Sequence, residues 1–222
     1  MSRKAARSLP SYSQVDILFE EFEMSNEAAL EKALEEMKGI TPYAVASKSG
    51  TDYDGSRFRI PFFNRVFLVY YPDIEIVEEN SEAPVPQFLQ IILLHYLLQS
   101  TGAAIADEWI AYRQLPGSAL FERRFLQMAV QPLLRTFGDD VEAFRRAGES
   151  LGGMPMTRTG DAAFRFMALP RVPIACIFYQ GEEGIPSSVN ILFDVSAEQY
   201  LPTEDLSLLG VYLVGAMKKA KQ

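Results

Sequence analysis

The sequence has one cysteine, Cys176, and one histidine, His95. A single thiol excludes an intramolecular disulfide and any zinc site or iron–sulfur cluster ligated by cysteines of this chain alone. A single imidazole excludes a His-rich metal site and any chemistry that needs two. Several motifs are missing as well: there is no G-x-S-x-G elbow, no H-E-x-x-H pair and no C-x-x-C. The glycines Gly152–Gly153 and Gly160 bracket a loop, MPMTRT, that could cover a ligand, but they lack the strand–loop–helix setting of a dinucleotide or Walker motif. Hydrolase and zinc-enzyme readings recede accordingly.

A membrane-spanning run is also lacking. Residues Ala83–Ala106 carry no charge, yet their strongly apolar part is only Phe88–Leu98, punctuated and flanked by Gln87, Gln90, His95, Gln99 and Ser100. That pattern predicts a buried helix, not a span. Basic excess is absent: 21 Lys and Arg face 29 Asp and Glu, a net charge of −8 with a pI near 4.8. Nucleic acid and anionic membranes are therefore not expected as partners. Much of the acid lies in residues 16–36 and Asp73–Glu82. Arg3, Lys4 and Arg7 precede polar residues with no apolar stretch of a signal peptide, so a cytoplasmic location is expected.

What is present is an ordinary globular composition, 48% apolar and 23% charged over 222 residues, enough to bury a core without metal or disulfide. Residues 25–38 predict a helix with Ser25 as N-cap, and Val15–Phe22 suggest another before it. From Arg57 the period falls to two, predicting a three-stranded antiparallel meander over Arg57–Phe62, Val66–Tyr71 and Ile74–Glu78. Gln87–Gln99 reads as a central helix. Ala119–Phe137 reads as a helix in which Leu120, Phe121, Arg124, Phe125, Met128, Leu133 and Leu134 keep an approximate three-to-four stripe, kinked or split by Pro132. Asp139 is the expected cap of the next helix, near Asp140–Leu151. Three strands follow at Ala162–Leu169, Val172–Tyr179 and Ser188–Asp194, then a capped turn at Ser196 and a terminal helix, Glu204–Lys219. The fold class is α+β, a mostly antiparallel sheet packed against several helices in a single domain. Residues 1–45 form an N-terminal helical segment continuous with a main domain over 46–222; two lobes joined near residues 80–87 are the alternative.

The blocks EWIAYRQLPG (Glu108–Gly117), GDAAFRF (Gly160–Phe166), Leu169–Asp194 and YLPTEDLSLLG (Tyr200–Gly210), with LLHYLL at Leu93–Leu98, resemble those of an uncharacterised bacterial and archaeal domain-of-unknown-function family over approximately residues 50–212. Some members of that family carry an added Cys-rich segment of iron–sulfur type, which this sequence lacks. The resemblance implies a shared fold and shared surface features; without that segment it permits at most a redox- or cofactor-related partner, and it brings no catalytic mechanism.

Four places carry candidate chemistry. Asn190 and Asp194 share a strand face about 13 Å apart. If the chain folds back after Asp194, then Asp194, Glu204 and Asp205 approach a cleft whose oxygens suit Mg²⁺ or Ca²⁺, or serve as general acid and base. The alternative is that Asp194 accepts turn amides while Glu204 and Asp205 complement a helix dipole. Arg171, stiffened by Pro170 and Pro173, is placed to bind a carboxylate or phosphate, or to pair with Glu182, Glu183 or Asp194; Arg113 is a less constrained analogue. His95, on the central helix, could ligate a haem-like or corrinoid cofactor or transfer a proton, against a neutral buried ring bonded to Glu108, Tyr112 or a carbonyl. Cys176 reads as an inert core thiol.

The function expected first is a ligand- or partner-binding domain, associated with cofactor or redox metabolism, with a cleft around Arg171, Asn190, Asp194 and Asp205 that takes a small anionic ligand or a protein. An enzyme using Asp194 or Asp205 in acid/base or Mg²⁺-assisted chemistry is the second reading. A structural or interaction subunit is the third.

Overall fold

The computed structural model describes residues Glu27 to Lys221; the expectations for Val15–Phe22 and the Ser25 cap lie outside them. Two helices open the described chain, α1 (Glu27–Met37) and α2 (Pro42–Ser49). The second was not expected from its sequence, and it crosses the boundary drawn at residue 45. Its start is set by Pro42 in the first turn and its end by Gly50, whose φ of 69° closes the helix in the left-handed region.

Residues of period two then build a four-stranded antiparallel sheet in sequence order: β1 (Asp52–Tyr53), β2 (Arg57–Phe62), β3 (Arg65–Tyr70) and β4 (Ile76–Glu78). The expected meander is present, with β1 added at its edge. Phe58, Ile60 and Phe62 alternate inward on β2, with Arg59 and Pro61 exposed.

Helix α3 (Gln87–Gln99) is apolar nearly all round, and Phe88, Leu89, Ile91, Ile92, Leu93, Leu94, Tyr96 and Leu97 are all buried. It occupies the centre of the core for that reason. At each such position, burial of a large apolar side chain contributes about 1.5–3 kcal/mol. Among the described residues no helix is long and apolar enough to cross a membrane.

The second sheet has five antiparallel strands in the order β5-β9-β8-β7-β6: β5 (Trp109–Ala111), β6 (Met154–Pro155), β7 (Ala162–Leu169), β8 (Val172–Tyr179) and β9 (Ser188–Asp194). Every residue of β8 except Tyr179 is buried, as its unbroken apolar run requires of a central strand. Between β5 and β6 the expected long helix is divided into α4 (Glu122–Phe125), a π-helical stretch Leu126–Val130 and α5 (Gln131–Phe137). Pro132, which has no N–H to donate, sits in the first turn of α5. Leu120 departs from the expected stripe: it lies in a separate 3₁₀ turn and is 84% exposed.

Helix α6 (Val141–Ser150) is capped by Asp140, not Asp139; the Asp140 carboxylate accepts the Ala143 N–H at 2.8 Å, while Asp139 accepts the Ser187 hydroxyl. Helix α7 (Thr203–Lys221) ends the described chain, with Lys218, Lys219 and Lys221 in its last turn.

The two sheets belong to one α+β domain. A bulge in the β7–β8 register skips Ala168, and its carbonyl accepts the N–H of Phe63, in the β2–β3 turn of the smaller sheet, at 3.0 Å. Tyr212 of α7 completes the junction: it stacks on Phe63, meets Phe62 edge-on and takes a hydrogen bond from Arg65 at 3.0 Å.

Candidate functional site

The first turn of α7 is where side-chain chemistry gathers. Asp205 points into the domain, 5% exposed, and its Oδ2 lies 2.7 Å from Nδ1 of His95 on α3. The ring of His95 remains partly open, with 22% of its side chain exposed. The Asp205 hydrogen bond raises the imidazole's pKa against the opposing effect of burial, and Glu36 adds a smaller push upward. The partner expected for a buried His95 was Glu108, Tyr112 or a carbonyl; the actual one is a carboxylate 110 residues away. Tyr112 instead donates to the Thr203 carbonyl at 3.1 Å and stacks on Phe125.

Glu204, next to Asp205, faces outward. Partial burial and then the Asp205 charge raise its pKa, and Arg124 and His95 oppose them. Glu204 lines an open groove of about 460 Å³ whose walls include Pro116, Leu120, Phe121, Leu201 and Pro202, with Glu198 as its second carboxylate. The groove is held together across the chain, since Thr203 donates its hydroxyl to the Pro116 carbonyl at 2.6 Å. Pro116–Gly117 forces the turn that brings Leu120 and Phe121 to the start of α7; Gly117 has φ 71°. This groove is not legible in the sequence. The three-to-four spacing places Leu120 and Phe121 in a helix stripe, and only the LPG turn signals that the helix starts too late to bury both.

Asp194 is fully buried at the end of β9 and caps the 3₁₀ turn Val195–Gln199. Ser196 was the expected cap; its N–H and hydroxyl instead both donate to Asp194 Oδ1, joined by the Ala106 N–H at 3.1 Å. Burial alone would raise the carboxyl's pKa, but these hydrogen bonds outweigh it and hold the group below its ordinary range. Its Oδ2 is buried with no hydrogen bond. Asp194 therefore works on the backbone, and Asp205 on His95. Among the described residues no three His, Cys, Asp or Glu side chains gather as a metal site.

Arg171 sits in the β7–β8 turn, its backbone N–H bonded to the Tyr96 hydroxyl at 3.0 Å and its side chain packed near Gly50. It forms no ion pair with Glu182, Glu183 or Asp194. Asn190 is exposed on β9 opposite Ile177, six residues along β8 from Arg171, or about 20 Å. Arg113 is exposed in the 3₁₀ turn after β5. The structure thus brings together His95, Glu204 and Asp205, and leaves Arg171, Asn190, Asp194 and Arg113 outside that group. Cys176 is fully buried, and burial pushes its thiol pKa well up, as an inert core residue requires.

A family model described as a domain of unknown function (DUF3786) matches residues 41–216. No curated protein and no solved structure matches the chain.

Proposed function

The chain belongs to that family of unknown function, and on that premise we propose that it is a ligand-binding domain whose site is the groove at the start of α7. The observation that carries this reading is the pairing of an apolar wall with carboxylates: Leu120, Phe121 and Leu201 beside Glu198 and Glu204. A volume of about 460 Å³ falls within the range of small-molecule sites. Two carboxylates against hydrocarbon favour an apolar body bearing a cationic or hydrogen-bond-donating group. That is the opposite charge to the anion expected at Arg171.

Calorimetric titration with benzamidine, benzamide and benzoate tests the charge logic. Benzamidine is expected to bind, benzamide more weakly and benzoate not at all, and Leu120→Lys is expected to abolish binding while leaving Tm within about a degree, since Leu120 is 84% exposed. Equal binding of benzoate, or unchanged binding by Leu120→Lys, would overturn the assignment.

The His95–Asp205 pair favours a second reading, acid/base chemistry. A carboxylate on Nδ1 fixes the ring and leaves Nε2 as the atom that exchanges a proton. On this reading His95→Gln removes turnover of a ligand that still binds.

A further inference from the structure

A separate recess of about 350 Å³ lies on the other flank of the large sheet, between α6 and the β6–β7 loop. Its loop is Thr157-Arg158-Thr159-Gly160, the part of MPMTRT and its closing glycine that the groove at α7 does not use. We propose that this recess is a binding site for a small phosphate-type oxyanion, held by Arg158 and Arg145 with the Thr157 hydroxyl and the backbone amides of Thr157 and Thr159; the Thr159 hydroxyl donates within the loop, to the Thr157 carbonyl at 3.3 Å.

Two observations of the backbone support it. Arg158 has φ 62°, a left-handed backbone that a non-glycine residue adopts only when its surroundings impose it. Left-handed residues within turns align successive N–H groups into concave anion receptors. Gly160, φ 59°, packs so tightly that a Cβ would stand 2.6 Å from the Phe178 carbonyl oxygen, so the loop is pinned to β8 at that point. The loop is therefore built in one shape, and an ion arriving there does not pay to order it.

The recess carries two guanidinium groups. Arg145 donates to the Asp161 carbonyl and contacts Glu142 at 3.4 Å, which fixes its guanidinium at the recess wall. Arg158 forms no ion pair among the described residues, so its charge is available. The recess also has two carboxylates in its lining, Glu149 and Asp161. Asp161 Oδ2 accepts the Gln180 N–H at 2.7 Å, which ties that carboxylate to the strand without removing its charge. Glu142 offsets part of the Arg145 charge. Glu149 is the carboxylate of the lining with no such tie, and its removal should tighten binding.

The experiment is an amide-resolved NMR titration of the full chain with sodium phosphate at constant ionic strength, with sodium acetate as the second arm. Phosphate is expected to give saturating shifts at the amides of Thr157–Asp161. Arg158→Ala is expected to weaken it about tenfold, the loss of one charge-assisted hydrogen bond, and Glu149→Gln to strengthen it. Arg158 is exposed, so the variant folds; an unchanged spectrum elsewhere verifies that. Shifts that are non-saturating and spread over the surface cations, acetate binding as tight as phosphate, or an Arg158→Ala titration like wild type would each overturn the proposal.

Discussion

At the residue scale, the His95–Asp205 contact links protonation to stability. The folded-state pKa of His95 is raised, chiefly by the Asp205 bond, so the imidazolium form is the one the fold prefers. Its stabilisation is fully present below the unfolded value of about 6.5 and is lost as pH rises through the folded value. Glu36 and Lys32 from α1 and Glu204 from α7 also act on the ring, with opposing signs for the lysine and the acids. Asp205→Asn is expected to cost about 1.5 kcal/mol near pH 5.5, or about 3–6 °C in Tm for a chain of this length. The difference should shrink above neutral pH. Thermal melts from pH 5 to 9 check this; a gap that widens with pH contradicts the pairing. The sequence identified both residues as chemically interesting and not their union. Chain order groups Asp205 with Asp194 and Glu204, whereas its partner is reached only because the fold sets the first turn of α7 beside His95 of α3, a property of packing.

At the scale of elements, α6 and β7 are joined through glycine. Gly148 lies within α6, where alanine ordinarily gains about 1 kcal/mol over glycine. Here a Cβ would stand 2.5 Å from the Phe164 ring, which is itself 2% exposed and has no room to move. Gly148→Ala is therefore expected to destabilise by about 1–3 kcal/mol, the cost of overpacking, despite the better helix former. Chemical denaturation checks the sign, and a stabilised variant would mean that helix and strand slide apart freely. Most of these elements were legible in the sequence. The bounds of α3, β7, β8 and β9 follow from largely apolar segments, unbroken in β8, that proline, glycine and polar turns delimit. Where α2 and β1 were missed, the segments are short and carry little period; Pro42–Ser49 holds Ser47, Lys48 and Ser49 among its eight residues. The caps were displaced by a residue or two at Asp139 and Ser196 because adjacent polar residues compete for the same amides, and the chain direction at the turn decides.

For the whole molecule, the question is whether two sheets make one cooperative unit. Helix α7 touches both: Gly210 packs on Phe125 and faces Phe193 of β9 in the larger sheet, and Tyr212 meets Arg65 of β3 and Phe63 in the β2–β3 turn, while Asp205 reaches α3. Together with the Phe63–Ala168 hydrogen bond, these contacts leave no plane along which the sheets separate without exposing apolar surface. Equilibrium unfolding is expected to be a single transition, with the fluorescence of Trp109, the only tryptophan, coinciding with far-UV circular dichroism. Separated midpoints would show that the small sheet melts alone.

The π-helical stretch at Leu126–Val130 bears on how this chain tolerates change in length. A hydrogen bond from i to i+5 encloses one residue more than the α-helical bond does, so the segment is a helix that has absorbed a single inserted residue. Phe125 before it and Leu133 after it both remain buried. Deleting one exposed residue there, such as Gln127, is thus the rare edit inside a helix that leaves both flanks facing the core, restoring a plain α-helix in place of a break.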